Sequence, residues 1–303
     1  MQPYSPAPSK GTLQDWMRAI GLISFIGLLL IAISNRYARL NVVSGSDLEG
    51  AVRALKANQI PEARKQFDQI IASSPSNLPR YLSIIETCKR LKNWELALEY
   101  TRRALKAADQ QDLESRATLL AVLTNILMEA KPPNWKTEAL QVAEQAYSLQ
   151  PNEPQMMNLY GYTLADMRDD PASLQKAFEL LRSALEKAQE RVQDLEGQVF
   201  LSAVQDSYGW VLYKKGDYTG AIIALTNALD HLPPEVIQTQ GEPQPGKLSG
   251  NDLKTYYYHI GAAYRKAEKP AEAKKAIAQA LKFDPNYAEA LAEQKALEAE
   301  TAH

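Results

Sequence analysis

The sequence predicts an all-α chain: about six pairs of antiparallel helices stacked into a solenoid, closed by a C-terminal capping helix and preceded by one N-terminal transmembrane helix. Three observations predict it. One phrase recurs along the chain, beginning at Ala63, Ala97, Ala139, Ala177, Ala221 and Ala273. Only 14 of the 303 residues are Gly, against a background rich in Ala, Leu, Lys, Glu and Gln, the residues that lose least entropy in a helix. Finally, the stretch AIGLISFIGLLLIAIS from Ala19 to Ser34 carries no charge.

Residues 1–15 begin with a Pro-rich tail, Pro3, Pro6 and Pro8, and are expected to be disordered. Residues 16–35 are expected to form a transmembrane anchor. With Trp16 and Met17 the apolar run reaches about 28 Å as a helix, near the thickness of a hydrocarbon core. Trp16 and Tyr37 fall at the two interfaces, and Arg18 lays its stem along the helix with its guanidinium among the headgroups. Ala32, Ile33 and Ser34 suit a signal peptidase, but the run is longer than the apolar part of a cleaved signal, which favours a retained anchor. Lys10 and Arg18 on one side nearly balance Arg36 and Arg39 on the other. A short tail before a first span most often stays cytoplasmic, so the repeats are expected outside the cytoplasm.

The recurring phrases are EARKQFDQII, LALEYTRRAL, EALQVAEQAY, KAFELLRSAL, GAIIALTNAL and EAKKAIAQAL, and three of them end with Pro75, Pro151 and Pro285 twelve residues after the alanine. Upstream lies a second phrase carrying a small residue: Gly161 in NLYGYTLAD, Gly209 in DSYGWVLYKKGDY and Gly261 in YYYHIGAAYRK. Small residues on facing sides let two helices approach to the low end of the usual interaxial range, and large residues such as Phe67, Tyr257 and Tyr264 fill the space beside them. Proline after the second helix denies the N–H that another turn requires. Each pair then has apolar surface on both sides and has to stack on its neighbours.

These phrases resemble the consensus of the tetratricopeptide repeat (TPR), a helix pair of about 34 residues with small residues and a closing Pro at fixed places. The resemblance covers residues 44 to 301, divided into repeats at about 44–77, 78–110, 113–151, 154–188, 201–232 and 252–285, a cap at 286–301 and a surface loop at 233–251. The first three repeats depart from the pattern, lacking the first-helix Gly; the third also carries KPPNW ahead of its second helix, and Lys187 to Phe200 adds helical residues between the fourth and fifth.

In that family the first helix of each pair lines a concave wall. Carried over by position, the wall residues are Leu82, Glu86 and Arg90 in the second repeat, Asn158 and Tyr162 in the fourth, Asp206, Trp210 and Tyr213 in the fifth, and Thr255, Tyr258 and Arg265 in the sixth. They are expected to be exposed there. Aromatics and Arg most often anchor interfaces, which singles out Tyr162, Trp210, Tyr213 and Tyr258. The paired Lys, Asn and Arg of the chaperone-tail clamp are missing: the equivalent places hold Leu48 and Val52, Leu82 and Glu86, Asp206 and Trp210, Tyr258 and Ala262.

Other functions find little support. The 34 basic and 36 acidic side chains nearly cancel, leaving no field for a nucleic-acid backbone. No phosphate-binding loop, metal motif or nucleophile elbow occurs, so no catalytic residue, cofactor, metal or small-molecule substrate is expected. The single Cys88 reads as core, and His259 as a packing or surface residue. The function expected is a non-enzymatic, membrane-anchored scaffold that binds a protein or peptide in the concave groove and supports assembly of a complex. The alternative is a permanent structural subunit of a membrane complex. GYTLAD and DSYGWVLYKKGDY also resemble bacterial envelope TPR proteins of secretion, pilus or outer-membrane assembly, which implies a single-pass protein of a bacterial inner membrane.

Overall fold

The computed structural model describes residues 45–234, 237 and 250–301. The tail at 1–15, the anchor at 16–35 and most of the loop at 233–251 lie outside the described residues. Within them every regular element is helical. Among the described residues no helix is long and apolar enough to cross a membrane.

Thirteen helices follow in order: α1 (Gly45–Lys56), α2 (Ile60–Ala72), α3 (Leu78–Arg90), α4 (Trp94–Ala107), α5 (Leu113–Ala130), α6 (Trp135–Leu149), α7 (Pro154–Met167), α8 (Pro171–Glu190), α9 (Leu195–Lys214), α10 (Tyr218–Asp230), α11 (Gly250–Lys266), α12 (Pro270–Phe283) and α13 (Ala288–Thr301). Local chemistry sets their limits. The side chains of Asn77, Asn93, Asp112, Asp170, Asp194 and Asp217 each accept a hydrogen bond from a backbone N–H three residues on, capping α3, α4, α5, α8, α9 and α10. This satisfies one of the donors that a helix start leaves without an intrahelical partner. Proline occupies the first turn of α2, α3, α7, α8 and α12, where its missing N–H costs nothing.

One turn joins the two helices of four pairs. Asn58, Lys92, Gly216 and Glu268 hold φ of 57°, 54°, 86° and 57°. The N–H of the following residue then reaches back five positions: Gln59 to Ala54, Asn93 to Cys88, Asp217 to Leu212 and Lys269 to Tyr264. This is the Schellman closure, in which a left-handed residue lets the chain satisfy the last carbonyls of a helix. The KPPNW segment breaks the rule, with Lys131 and Asn134 both left-handed and two prolines between them. The helical residues between the fourth and fifth pairs lengthen α8 and α9 to 20 residues each.

The landmark alanines Ala63, Ala97, Ala139, Ala177, Ala221 and Ala273 all have 0% exposure, so each second helix turns the same position toward its partner. In the last three pairs the first helix answers with glycine. A Cβ on Gly161 would lie 2.8 Å from Leu181 Cγ, one on Gly209 2.5 Å from Leu225 Cγ, and one on Gly261 2.5 Å from Ile277 Cδ1. Each glycine therefore faces the large residue four places beyond a landmark alanine. Pairs pack on pairs in chain order, and from α5 onward the first helices also touch one another, α5 on α7, α7 on α9, α9 on α11 and α11 on α13. First helices thus form an inner layer and second helices an outer one. Cys88 sits in the core at 0% exposure, where burial pushes its thiol up to about 12; it is packing, with little thiolate for reaction.

Two outcomes follow. Gly209→Ala forces its new methyl against Leu225, and overpacking of this kind costs about 1–3 kcal/mol, enough to lower Tm in a thermal melt despite the better helix propensity of Ala. Glu268→Gly relieves a left-handed side-chain residue and is expected to stabilise by about 1 kcal/mol, read as a higher urea midpoint at unchanged m-value.

Candidate functional site

The inner layer lines a partly open cavity of about 490 Å³, bounded by α5, α7, α9 and α11 and by the start of α13. Curvature brings distant segments together around it. Lys131, just past the end of α5, donates to Glu289 of α13 at 2.5 Å across 158 positions of sequence, and its ammonium lies 5.8 Å from the centre of the Trp135 ring. At another edge Lys254 donates to Asp284 at 2.9 Å and lies 4.8 Å from the Tyr287 ring centre. Burial works against the Glu289 charge, yet its hydrogen bond from Lys131 holds the carboxyl below the usual carboxylate range. The hydrogen bond from Lys254 does the same for Asp284.

Between these edges runs a continuous set of rings. Tyr162 is 6.0 Å from His259, which stacks on Trp210 at 4.2 Å; Trp210 in turn stacks on Tyr213 at 4.7 Å and meets Tyr258 at 5.6 Å. Tyr258 then packs edge-on to Tyr287 at 5.6 Å. Below the rings, His259 Nδ1 is 2.9 Å from Asp206 Oδ2, a pair 1% and 8% exposed at its side chains. Burial raises the Tyr162, Tyr258 and Tyr287 phenols above their ordinary range, and the charge of Asp166 adds to the rise in all three. The rings are therefore neutral at physiological pH, with an acceptor carboxylate beside them.

Of the residues carried over to the wall, Asn158, Tyr162, Asp206, Thr255 and Tyr258 line this cavity. The others do not. Leu82 packs against the core, Glu86 pairs with Lys89 at 3.0 Å, and Arg90 is exposed at the end of α3. Arg265 is held by Glu293 and Glu300 of α13, the latter at 2.7 Å, so the capping helix covers it. Asn158, Asp206 and Trp210 are 4%, 6% and 4% exposed, buried where the sequence placed exposed side chains. Each first helix leans on the next: His259 of α11 stacks on Trp210 and pairs with Asp206, covering both side chains of α9. Tyr213 is half-buried under Trp210.

Sequence reasoning missed Trp94, Trp135, Asp166 and Tyr287, all of which line the cavity. Trp94 and Trp135 belong to second helices, and Tyr287 lies in the cap segment just before α13, so the rule that first helices form the wall passed over them. Asp166 was legible: Asn158, Tyr162 and Asp166 are spaced by four, one stripe of α7.

No protein-family model matches the sequence, and no curated protein matches it. Solved structures do match. The APC/C hetero-tetramer Cut9–Hcn1 aligns over 94% of this chain at 18% identity with a TM-score of 0.56. The fold is that of a TPR-like helical repeat. This chain spans 48% of the Cut9–Hcn1 chain it matches. PilW, a type IV pilus biogenesis factor, aligns over 85% of this chain and 99% of its own at 17% identity and a TM-score of 0.48. YrrB, a TPR protein with an unusual peptide-binding site, aligns over 76% of this chain and 97% of its own at 17% identity and a TM-score of 0.38.

The stacking of Trp210 on His259 and Tyr213 makes it a structural residue. Trp210→Ala is expected to destabilise the TPR array by about 3–5 kcal/mol, as large-to-small changes at buried aromatics do. A thermal melt followed by helical circular dichroism checks it, with Tyr213→Ala expected to shift Tm less.

Proposed function

We propose that this chain is a non-enzymatic scaffold that binds a protein or peptide in the cavity of its inner wall and so supports assembly of a larger complex. The observation that carries the reading is the cavity itself. It is concave, ringed by Tyr162, Tyr258, Tyr287, Trp94 and Trp135, and edged by charged and amide groups, the combination of aromatic anchor and polar rim found where proteins recognise one another. The Cut9–Hcn1 structure, which shares the fold, is a protein hetero-tetramer, in keeping with assembly as the task. Tyr162, Tyr258 and Thr255 are the recognition residues in this reading, with Asn158 and Asp206 reached from the cavity floor; Leu82, Glu86, Arg90, Trp210, Tyr213 and Arg265 support the wall.

The uncharged run from Ala19 to Ser34 supports a further part of the proposal: residues 16–35 tether the array to a membrane, as a single span with the repeats outside the cytoplasm. A tether concentrates the groove near partners in the same membrane. The repeat boundaries at about 44–77, 78–110, 113–151, 154–188, 201–232 and 252–285 belong to the same reading.

Photocrosslinking tests it. A photoreactive phenylalanine analogue in place of Tyr258 preserves the ring, and in native membranes it is expected to give discrete protein adducts. The same analogue at the exposed Lys274 of α12 is expected to give none. Adducts from position 274 alone would move the binding surface to the outer layer. If the adducted protein remains stoichiometric through detergent and a high-salt wash, the chain is a permanent subunit instead of a scaffold for exchanging clients.

A further inference from the structure

Two carboxylates in the cavity are placed where helices disfavour them. Asp166 is the second-to-last residue of α7, and Glu129 the second-to-last of α5. Both line the cavity. The C-terminal end of a helix carries partial negative charge, so a carboxylate there is repelled unless a cation offsets it. Neighbouring acids of the cavity have such cations: Glu289 has Lys131 and Asp284 has Lys254. Asp166 and Glu129 form no ion pair among the described residues. The charge of Asp166 nevertheless reaches three tyrosine rings, those of Tyr162, Tyr258 and Tyr287.

The protein's own lysines show what such a setting holds. Lys131 lies between the Trp135 ring and the Glu289 carboxylate, and Lys254 between the Tyr287 ring and Asp284. Each joins a ring face to a carboxylate, the combination that favours an ammonium or guanidinium group. Asp166, Tyr162 and Tyr258 line the same cavity and offer the same two kinds of group, a carboxylate and aromatic rings, with no lysine paired to the carboxylate among the described residues.

A second observation comes from Asn158. It is 4% exposed, lines the same cavity, and its side-chain oxygen has no hydrogen-bond donor within the described protein. A buried acceptor left so costs free energy, which a donor seated in the cavity recovers. Asn158, Tyr162 and Asp166 share one stripe of α7, and the first and last are about 12 Å apart at 1.5 Å per residue. That distance is about four residues of extended chain.

Resting on the reading of this cavity as a protein-binding groove, we propose that its occupant is an extended basic segment of a partner protein, laid along α7, whose Lys or Arg side chain enters between the Tyr162 and Tyr258 rings to meet Asp166. A main-chain or side-chain N–H of the same segment, about four residues away, donates to Asn158. Glu129 at the end of α5 adds negative potential on the facing side. The cavity therefore selects for positive charge and against acidic peptides, although the chain as a whole is close to neutral.

The test uses the full-length chain in detergent micelles and three short acetylated, amidated peptides that differ at one central residue, Lys, Arg or Glu, in a Gly-Ser background. Titration calorimetry at low salt is expected to show binding of the Lys and Arg peptides, weakened as salt rises, and none of the Glu peptide. Asp166→Asn is expected to weaken the Lys peptide by about tenfold or more, the loss of one charge-assisted contact. Its Tm should stay the same or rise, because the charge at the end of α7 opposes the helix dipole. A lowered Tm would make Asp166 a structural residue and overturn the assignment. Equal binding of all three peptides, unchanged by Asp166→Asn, leaves a peptide groove but refutes selection for a cation. Binding of no peptide, together with an absence of crosslinks from position 258, removes the groove as well.

Discussion

Every other feature of this chain depends on how closely the two helices of a pair can approach. In the last three pairs the limit is set by a glycine on the first helix and a large aliphatic residue on the second: Gly161 against Leu181, Gly209 against Leu225 and Gly261 against Ile277. The landmark alanines of the second helices, all fully buried, act in the same way across the whole chain. Small residues allow two backbones to come close, and close backbones leave large side chains on each pair that only the next pair can cover. The array is thus held largely by contacts between chain neighbours.

Repetition of one contact geometry rotates each pair by a similar amount relative to the last, and the rotation accumulates. By the sixth pair it has brought the start of α13 back to the end of α5, where Lys131 meets Glu289. The closure narrows the inner wall into a partly enclosed cavity. It also explains why rings spread over a long sequence, from Trp94 to Tyr287, share one space. Burial of Asp206 and His259 beneath Trp210 follows from the same crowding. A carboxylate and an imidazole tolerate that depth because each answers the other at 2.9 Å.

The site combines two opposed tendencies. Rings stacked on one another rigidify the floor and cost nothing further on binding. The carboxylates of Asp166 and Glu129, at the ends of α7 and α5, are poorly placed for stability of the free protein. Strain or electrostatic cost retained at a site is characteristic of surfaces that bind, because the ligand supplies the compensation that the fold withholds. In the outer layer, pairs such as Arg102 with Glu138 at 2.8 Å bridge successive second helices, α4 to α6, in ordinary solvent-exposed fashion.

By itself the sequence determined the helical class, the pairing of helices, the small-residue contacts and the family the fold resembles. These follow from interactions a few residues apart or one helix pair apart, which periodicity records directly. It also marked Tyr162 and Tyr258 as facing inward, since one face of a helix is readable from spacing alone. Only the tertiary structure decided which inward residues are buried and which line the cavity. Asn158 and Asp206 lie at the cavity floor although almost fully buried, Trp210 is buried beneath the His259 ring, and Arg265 is claimed by α13. Accessibility depends on the accumulated rotation of the solenoid, a sum of small angles over many pairs. No local pattern encodes that sum, so the meeting of Lys131 with Glu289 and the grouping of Asp166 with Tyr287 appeared only once the chain had been followed through its full curve.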